Sequence, residues 1–317
     1  MRTSLGVVTL SCALLFAGCS GVPVSNTIQT DGSQGAKLSG KVYGGQQPIV
    51  GASVYVYAAN TTGYGAASLP LLSSPATTGT GGTFNISGDY TCPSSSSQVY
   101  LYVVGGDPGD GGTNSAVGLL AGLGSCGTVA SSKPYVVVNE VSTIATAYAI
   151  AGFATDAMHV SSSSSAPGQT GIANAFSAIA NLETLGTGVA LATTPADSGG
   201  NGTVPQAEIN TLANILASCI NSSPTEGTQC PTLFSNATNA YGTEPTDTAT
   251  AAINIAHNPS ANIAAQWGLA PPLKGLLPTA PPLELSSLIE LVFALPTQAS
   301  PELSIAMPTG PYPPPAM

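Results

Sequence analysis

The stretch "LSGKVYGGQQPIVGASVYVYA", residues 38–58, decides how the chain is read. After Gly51 its residues alternate, with Ala52, Val54 and Val56 on one side and Ser53, Tyr55 and Tyr57 on the other. A period of two, built from β-branched and aromatic residues, marks a half-buried strand, because successive side chains of an extended chain point to opposite faces. Val42 precedes a run of Gly44, Gly45, Gln46, Gln47 and Pro48, whose glycines and proline favour a turn. Working outward, "GTFNISG" (82–88), "QVYLYVV" (98–104) and "YVVVNE" (135–140) repeat the strand character, with Gly, Pro and Ser between them. Short strands punctuated in this way predict a small antiparallel β-sandwich over residues 37–138.

At Asn139, which is placed to cap a helix, the period changes to 3.6. "NEVSTIATAYAIAGFATDAM" (139–158) sets Val141, Ile144, Ala145, Tyr148 and Gly152 on one helical face. "GIANAFSAIANLETLG" (171–186) repeats the spacing with Ile172, Phe176, Ile179 and Leu182. "TVPQAEINTLANILASCINS" (203–222) opens with Thr203 and Gln206 at capping-box positions and continues with Ile209, Leu212, Leu216, Cys219 and Ile220. Two shorter patterns, "PTDTATAAINIAHNP" (245–259) and "PSANIAAQWGL" (259–269), complete a helical unit over residues 139–269. The fold class expected is therefore β followed by α, with disordered termini. Residues 19–36 read as a flexible tether, and residues 270–317, which hold 12 of the 26 prolines, as a Pro-rich tail.

The positions Gly40, Val42, Pro48, Ile49, Gly51, Ala52, Val54, Thr78, Gly82 and Phe84 resemble the pattern of the carboxypeptidase regulatory-like domain. Gly79 stands where that family usually has Asp. The resemblance implies a transthyretin-like sandwich grouped with carbohydrate-binding-like folds. The wider string, through "GDYTCPSSSSQVYLYVVGGDPGDGGTNSA", "VNEVSTIATAYAIAGF", "GNGTVPQAEINTLANILASC" and "TDTATAAINIAHNP", is similar to acidobacterial and burkholderial secreted proteins. In many members of that family this module precedes an NHL-repeat β-propeller, and no propeller repeat follows it here.

The chain opens "MRTSLGVVTLSCALLFAGCSG": one positive charge, a short apolar run, small residues and Cys19. Residues 1–18 read as a signal peptide, its apolar run shorter than the ~20 residues that span a bilayer. "LFAGC" (15–19) resembles the lipobox of bacterial lipoproteins, with Phe16 where that family prefers Leu. The resemblance implies lipidation at Cys19 and a membrane partner reached through the anchor. Ser20 after the anchor resembles the enterobacterial signal for the outer membrane, so the expected location is the cell envelope, at the outer membrane or cell surface. The remaining four cysteines, Cys92, Cys126, Cys219 and Cys230, are an even set in an exported chain, which favours disulfides over zinc. Three pairings are open, and Cys92–Cys126 with Cys219–Cys230 is preferred because each pair lies within one apparent unit.

Net charge is −10, yet only 6% of residues are charged, and beyond Arg2 the basic residues are Lys37, Lys41, Lys133 and Lys274. Nucleic acid is excluded as a partner, since phosphate binding needs clustered Lys or Arg. Catalytic patterns are missing too: there is no G-x-S-x-G elbow, H-E-x-x-H, phosphate loop or dinucleotide loop. Of the two histidines, His257 sits at a helix end, where an imidazole meets carbonyls. Asp107, Asp110 and Asn114 in a glycine-rich loop fit a plain turn better than a calcium loop. The expected protein has no catalytic, cofactor-binding or metal-binding residues and acts as a binding or scaffold module. Its ligand face would be Tyr55, Tyr57, Tyr100 and Tyr102, with Tyr64 nearby in sequence, and its partner a polysaccharide or an envelope protein. The alternatives are a hydrolase using carboxylates such as Glu244 and Asp247, or a remnant of a longer propeller protein with no ligand of its own.

Overall fold

A computed structural model describes residues 32–109, 112–223 and 227–269. The signal segment, Cys19, most of the tether and the Pro-rich tail lie outside the described residues. The quoted stretch forms β1 (Leu38–Gly44) and β2 (Ser53–Ala58), joined through a two-residue strand, Gln47–Pro48. Four longer strands follow, β3 (Thr83–Ile86), β4 (Gln98–Val104), β5 (Gly118–Ser125) and β6 (Tyr135–Val138), and short strands pair as ribbons, among them Ala154–Asp156 with His159–Val160 and Glu183–Thr184 with Val189–Ala190. One sheet runs β5–β4–β2, all antiparallel, with the short strands Leu69–Pro70 and Ala76–Thr77 pairing onto β2. The other has β1 at its centre, antiparallel to β3 and to Gln47–Pro48.

One pair departs from the antiparallel expectation, because β6 runs parallel to β1, Val136 beside Gly40. The cause is a helix that sequence reading missed, α1 (Cys126–Ser132), which takes the chain from one sheet to the other. Lys133 ends it in the left-handed region, at φ 46°. Six further helices follow among the described residues: α2 (Glu140–Ile150), α3 (Ala166–Ile179), α4 (Gln206–Ile220), α5 (Gln229–Asn236), α6 (Thr248–His257) and α7 (Ile263–Trp267). The architecture is mixed β and α, and no described helix is long and apolar enough to cross a membrane.

The helices do not stand apart from the sheets. Helices α2, α3 and α6 all pack on β5, and buried side chains from both sheets and the helices join one continuous core. Along β4, Val99, Leu101 and Val103 point one way and Tyr100 and Tyr102 the other, and both sets are buried. On the tyrosine face the helices approach closely at two glycines of β5. A methyl at Gly122 would strike Ile179 of α3, and one at Gly118 would strike Asp247 at the start of α6.

Strand β5 is an edge strand, and its outward backbone groups would be a template for further pairing if left open. Side chains of the helices close it. Leu120 N–H donates to Thr143 Oγ1 at 2.9 Å and Gly122 N–H to Thr146 Oγ1 at 2.9 Å. Ser142 Oγ donates to Leu120 O at 2.8 Å. From α6, Thr248 Oγ1 accepts from Gly118 N–H at 3.0 Å and donates to Gly118 O at 2.6 Å. This is why α2 carries Ser142, Thr143 and Thr146 yet is buried all round, rather than along the single stripe that its apolar spacing predicts. Gly152, expected on that stripe, lies beyond the helix end and is exposed.

Local signals explain most boundaries. Asn139 caps α2 in a reciprocal box with Ser142: Oδ1 accepts from Ser142 N–H, and Ser142 Oγ accepts from Asn139 N–H. Asp247 caps α6 by accepting from Ala249 N–H and Thr250 N–H. The box expected at Thr203 and Gln206 does not form. Pro205 occupies the cap position of α4, and Gln206 Nε2 instead donates to Ala190 O across the chain. The disulfides Cys92–Cys126 and Cys219–Cys230 both close. The second ties α4 to α5, a helix absent from the sequence reading.

Candidate functional site

The tyrosine face exists in register: Tyr55 pairs with Tyr102 and Tyr57 with Tyr100 across β2 and β4. It is not an open face. Tyr100 is 0% exposed and Tyr102 6%, because α3, the start of α6 and the ribbon at 154–160 cover that side of the sheet. Tyr100 Oη donates to Ala157 O at 2.9 Å and also bonds Ser68 Oγ, while its ring lies 6.3 Å from Phe176 of α3. Tyr102 hydrogen-bonds Asp247. Burial raises both phenols far above their ordinary range. Tyr100 and Tyr102 are thus removed from the expected ligand face, which the helical layer has occupied. Tyr55 and Tyr57 remain half-buried at its margin, and Tyr64 is exposed but anchored by a bond to Ala154 O.

A concavity lies elsewhere, an open groove of about 690 Å³. One wall is the loop Pro93–Ser97 with Gln98, and beside it run Ser125 and Gly127 at the start of α1. The other side is formed by Asn60, Thr61 and Leu69, with Gln169, Ile172 and Ala173 of α3. The serine loop is held firmly. The Cys92–Cys126 disulfide ties its base to α1, Cys126 N–H donates to Ser97 O at 2.9 Å, and Gly127 N–H donates to Ser95 O at 2.8 Å. Ser94, Ser96 and Ser97 bond one another through their hydroxyls, and Gln98 Nε2 donates to Ser96 O. The hydroxyls of Ser95 and Thr61 have no hydrogen-bond partner among the described residues. Among the described residues no ionisable side chain lines the groove. It offers amides and hydroxyls interleaved with the apolar surfaces of Leu69, Pro93, Ile172 and Ala173. Sequence reading passed over it because "CPSSSSQ" looks like any polar loop; the signal was the cysteine beside the serine run.

The remaining candidates have structural partners. His257 Nε2 donates to Ala151 O at 2.8 Å, just past the end of α2, and His159 pairs with Asp156 across 2.8 Å. Asn114 turns inward, where Nδ2 donates to the terminal carbonyls of α4, Cys219 O and Ile220 O. Asp107 accepts from Gly109 N–H in a local turn, and Asp110 lies outside the described residues. Among the described residues no cluster of three or more His, Cys, Asp or Glu is placed to hold a metal. Of the pair considered for hydrolysis, Glu244 is exposed, whereas Asp247 is buried at the cap of α6 with its pKa raised by that burial. Glu183 is buried with one carboxyl oxygen unpartnered, and burial pushes its pKa up to about 8. No family model, curated protein or solved structure matches the chain.

Proposed function

We propose that this chain is a lipid-anchored envelope module that binds a neutral, hydroxyl-rich ligand, a polysaccharide segment, in the serine-lined groove. The observation that carries the reading is the lining itself: hydrogen-bonding groups without charge, alternating with apolar patches, on a braced loop. A pyranose ring has the same character, with hydroxyls at its edge and C–H groups on its faces. Pre-formed, braced walls reduce the ordering cost of binding. The two sheets are read as the transthyretin-like sandwich that the motifs around Gly40 to Phe84 resemble, and the anchor as Cys19. Export, the paired cysteines and the low charge are consistent with an envelope address, and the protein is read as a binding module rather than an enzyme.

A glycan array probed with the full-length chain and with Ser95→Trp tests this reading. The wild type is expected to retain a set of neutral glycans, and the tryptophan, filling the groove, to abolish that signal. Loss with Tyr57→Ala but not with Ser95→Trp would return the site to the margin of the tyrosine face, and silence of the wild type would refute the groove. Labelling cells with palmitate tests the anchor: the wild type should incorporate label and Cys19→Ala should not.

A further inference from the structure

A second cavity, a cleft of about 200 Å³, opens on another part of the molecule. Its floor is the start of α2, Asn139 to Val141, and one wall is the turn after β1, Gly45 and Gln46. The ribbon residues Thr187 to Ala190 and a stripe of α4 close it. The stripe is Asn210, Ala213, Asn214 and Ala217, a spacing that aims all four side chains the same way. Two of the lining groups are unusual. Glu140 is buried, and its Oε1 accepts from Gly45 N–H at 2.5 Å, which fixes the carboxyl in place. Asn210 is only 6% exposed and lines the cleft, and its amide is not among the buried polar groups closed off from solvent without a partner.

A buried carboxylate without a counter-charge is costly. Among the described residues no Lys, Arg or His lines this cleft, and Glu140 is the one ionisable group that does. We propose that the cleft is a binding site for a small aliphatic primary ammonium, held between the Glu140 carboxylate and the Asn210 carbonyl. The ammonium brings the missing counter-charge and N–H donors for both acceptors, while Val141, Ala190, Ala213 and Ala217 accept a short alkyl chain. The volume excludes a peptide or an oligosaccharide, and a single carboxylate among amides is a poor ligand set for a divalent cation. The site is separate from the serine groove, so each stands or falls alone.

Calorimetric titration of the full-length chain with n-butylammonium, in two buffers of different ionisation enthalpy, tests it. Burial raises the Glu140 pKa to about 7, so binding at pH 7 should release roughly half a proton as the carboxyl ionises. Glu140→Gln should weaken binding at least about tenfold and remove the proton release. Asn210→Asp, which adds a second negative acceptor, should tighten binding, and this arm does not depend on the Glu140 variant folding. The proposal is overturned if n-butylammonium fails to bind the wild type, if n-butanol binds equally well, or if Asn210→Asp binds no better.

Discussion

The β5 edge and the serine groove use the same chemistry to opposite ends. At β5, the hydroxyls of Ser142, Thr143, Thr146 and Thr248 are buried and paired with backbone that would otherwise be an open sheet edge. In the groove, the hydroxyls of Ser94–Ser97 and Thr61 line an open surface; Ser94, Ser96 and Ser97 bond one another, Ser97 Oγ also accepts from Ser94 N–H, and none of them closes a sheet edge. A hydroxyl-rich composition therefore says nothing by itself about ligand binding. What separates the two regions is whether a helix has been laid over the hydroxyls, and Gly118 and Gly122 are what admit the helices at β5.

The comparison can be broken first at the disulfide beneath the groove. Replacing Cys92 and Cys126 by alanine opens a link spanning 34 residues, and the lost chain constraint should lower stability by about 4 kcal/mol. Chemical denaturation measures this, and groove binding should weaken in the same variant while the β5 edge keeps its hydrogen bonds.

Glu183 supplies the contrasting case of a buried polar group left unpaired. Its carboxyl keeps a proton in the folded state up to about pH 8, whereas the unfolded chain releases it near 4.5. Stability should be highest below pH 4.5, as far as this group is concerned, and should fall as pH rises towards 8. Glu183→Gln should remove a fall of roughly 3–4 kcal/mol, read from melting curves between pH 5 and 8. Glu140, raised to about 7 for the same reason, contributes with the same sign.

Thr143→Val keeps the shape of the side chain and strands Leu120 N–H at the sheet edge. The expected cost is about 1–2 kcal/mol, with Thr143→Ser restoring most of it, and amide exchange at Leu120 should accelerate in the valine variant alone. The smallest effect belongs to the groove: Ser95→Ala should leave stability within about 0.5 kcal/mol of wild type, because the exposed Ser95 side chain supports no structure.

Much of this architecture was legible in the chain. Alternation located β2, strand-like runs between turn residues located β1, β3, β4 and β6, the 3.6 period located α2, α3, α4, α6 and α7, and within-unit spacing favoured the two disulfides that form. Strand β5 was not legible, because "GLLAGLGS" alternates glycine with leucine and alanine and shows no polar face; both its faces are buried and its glycines answer to helices distant in sequence. The tyrosine face was read correctly as a face and wrongly as an open one. Alternation tells which residues share a side of a sheet, but only the packed helices tell whether that side meets solvent. The groove and the Glu140 cleft were invisible because they are assembled from five and four separate segments respectively.

The most direct test is an amide-resolved NMR titration of the full-length chain with a neutral oligosaccharide selected on the array. The account predicts shifts confined to Thr61, Ser94–Ser97, Ser125, Gly127 and Gln169, with Gly118, Leu120 and Gly122 unmoved. Shifts centred on Tyr55 and Tyr57, or an unchanged spectrum at saturating ligand, would contradict it.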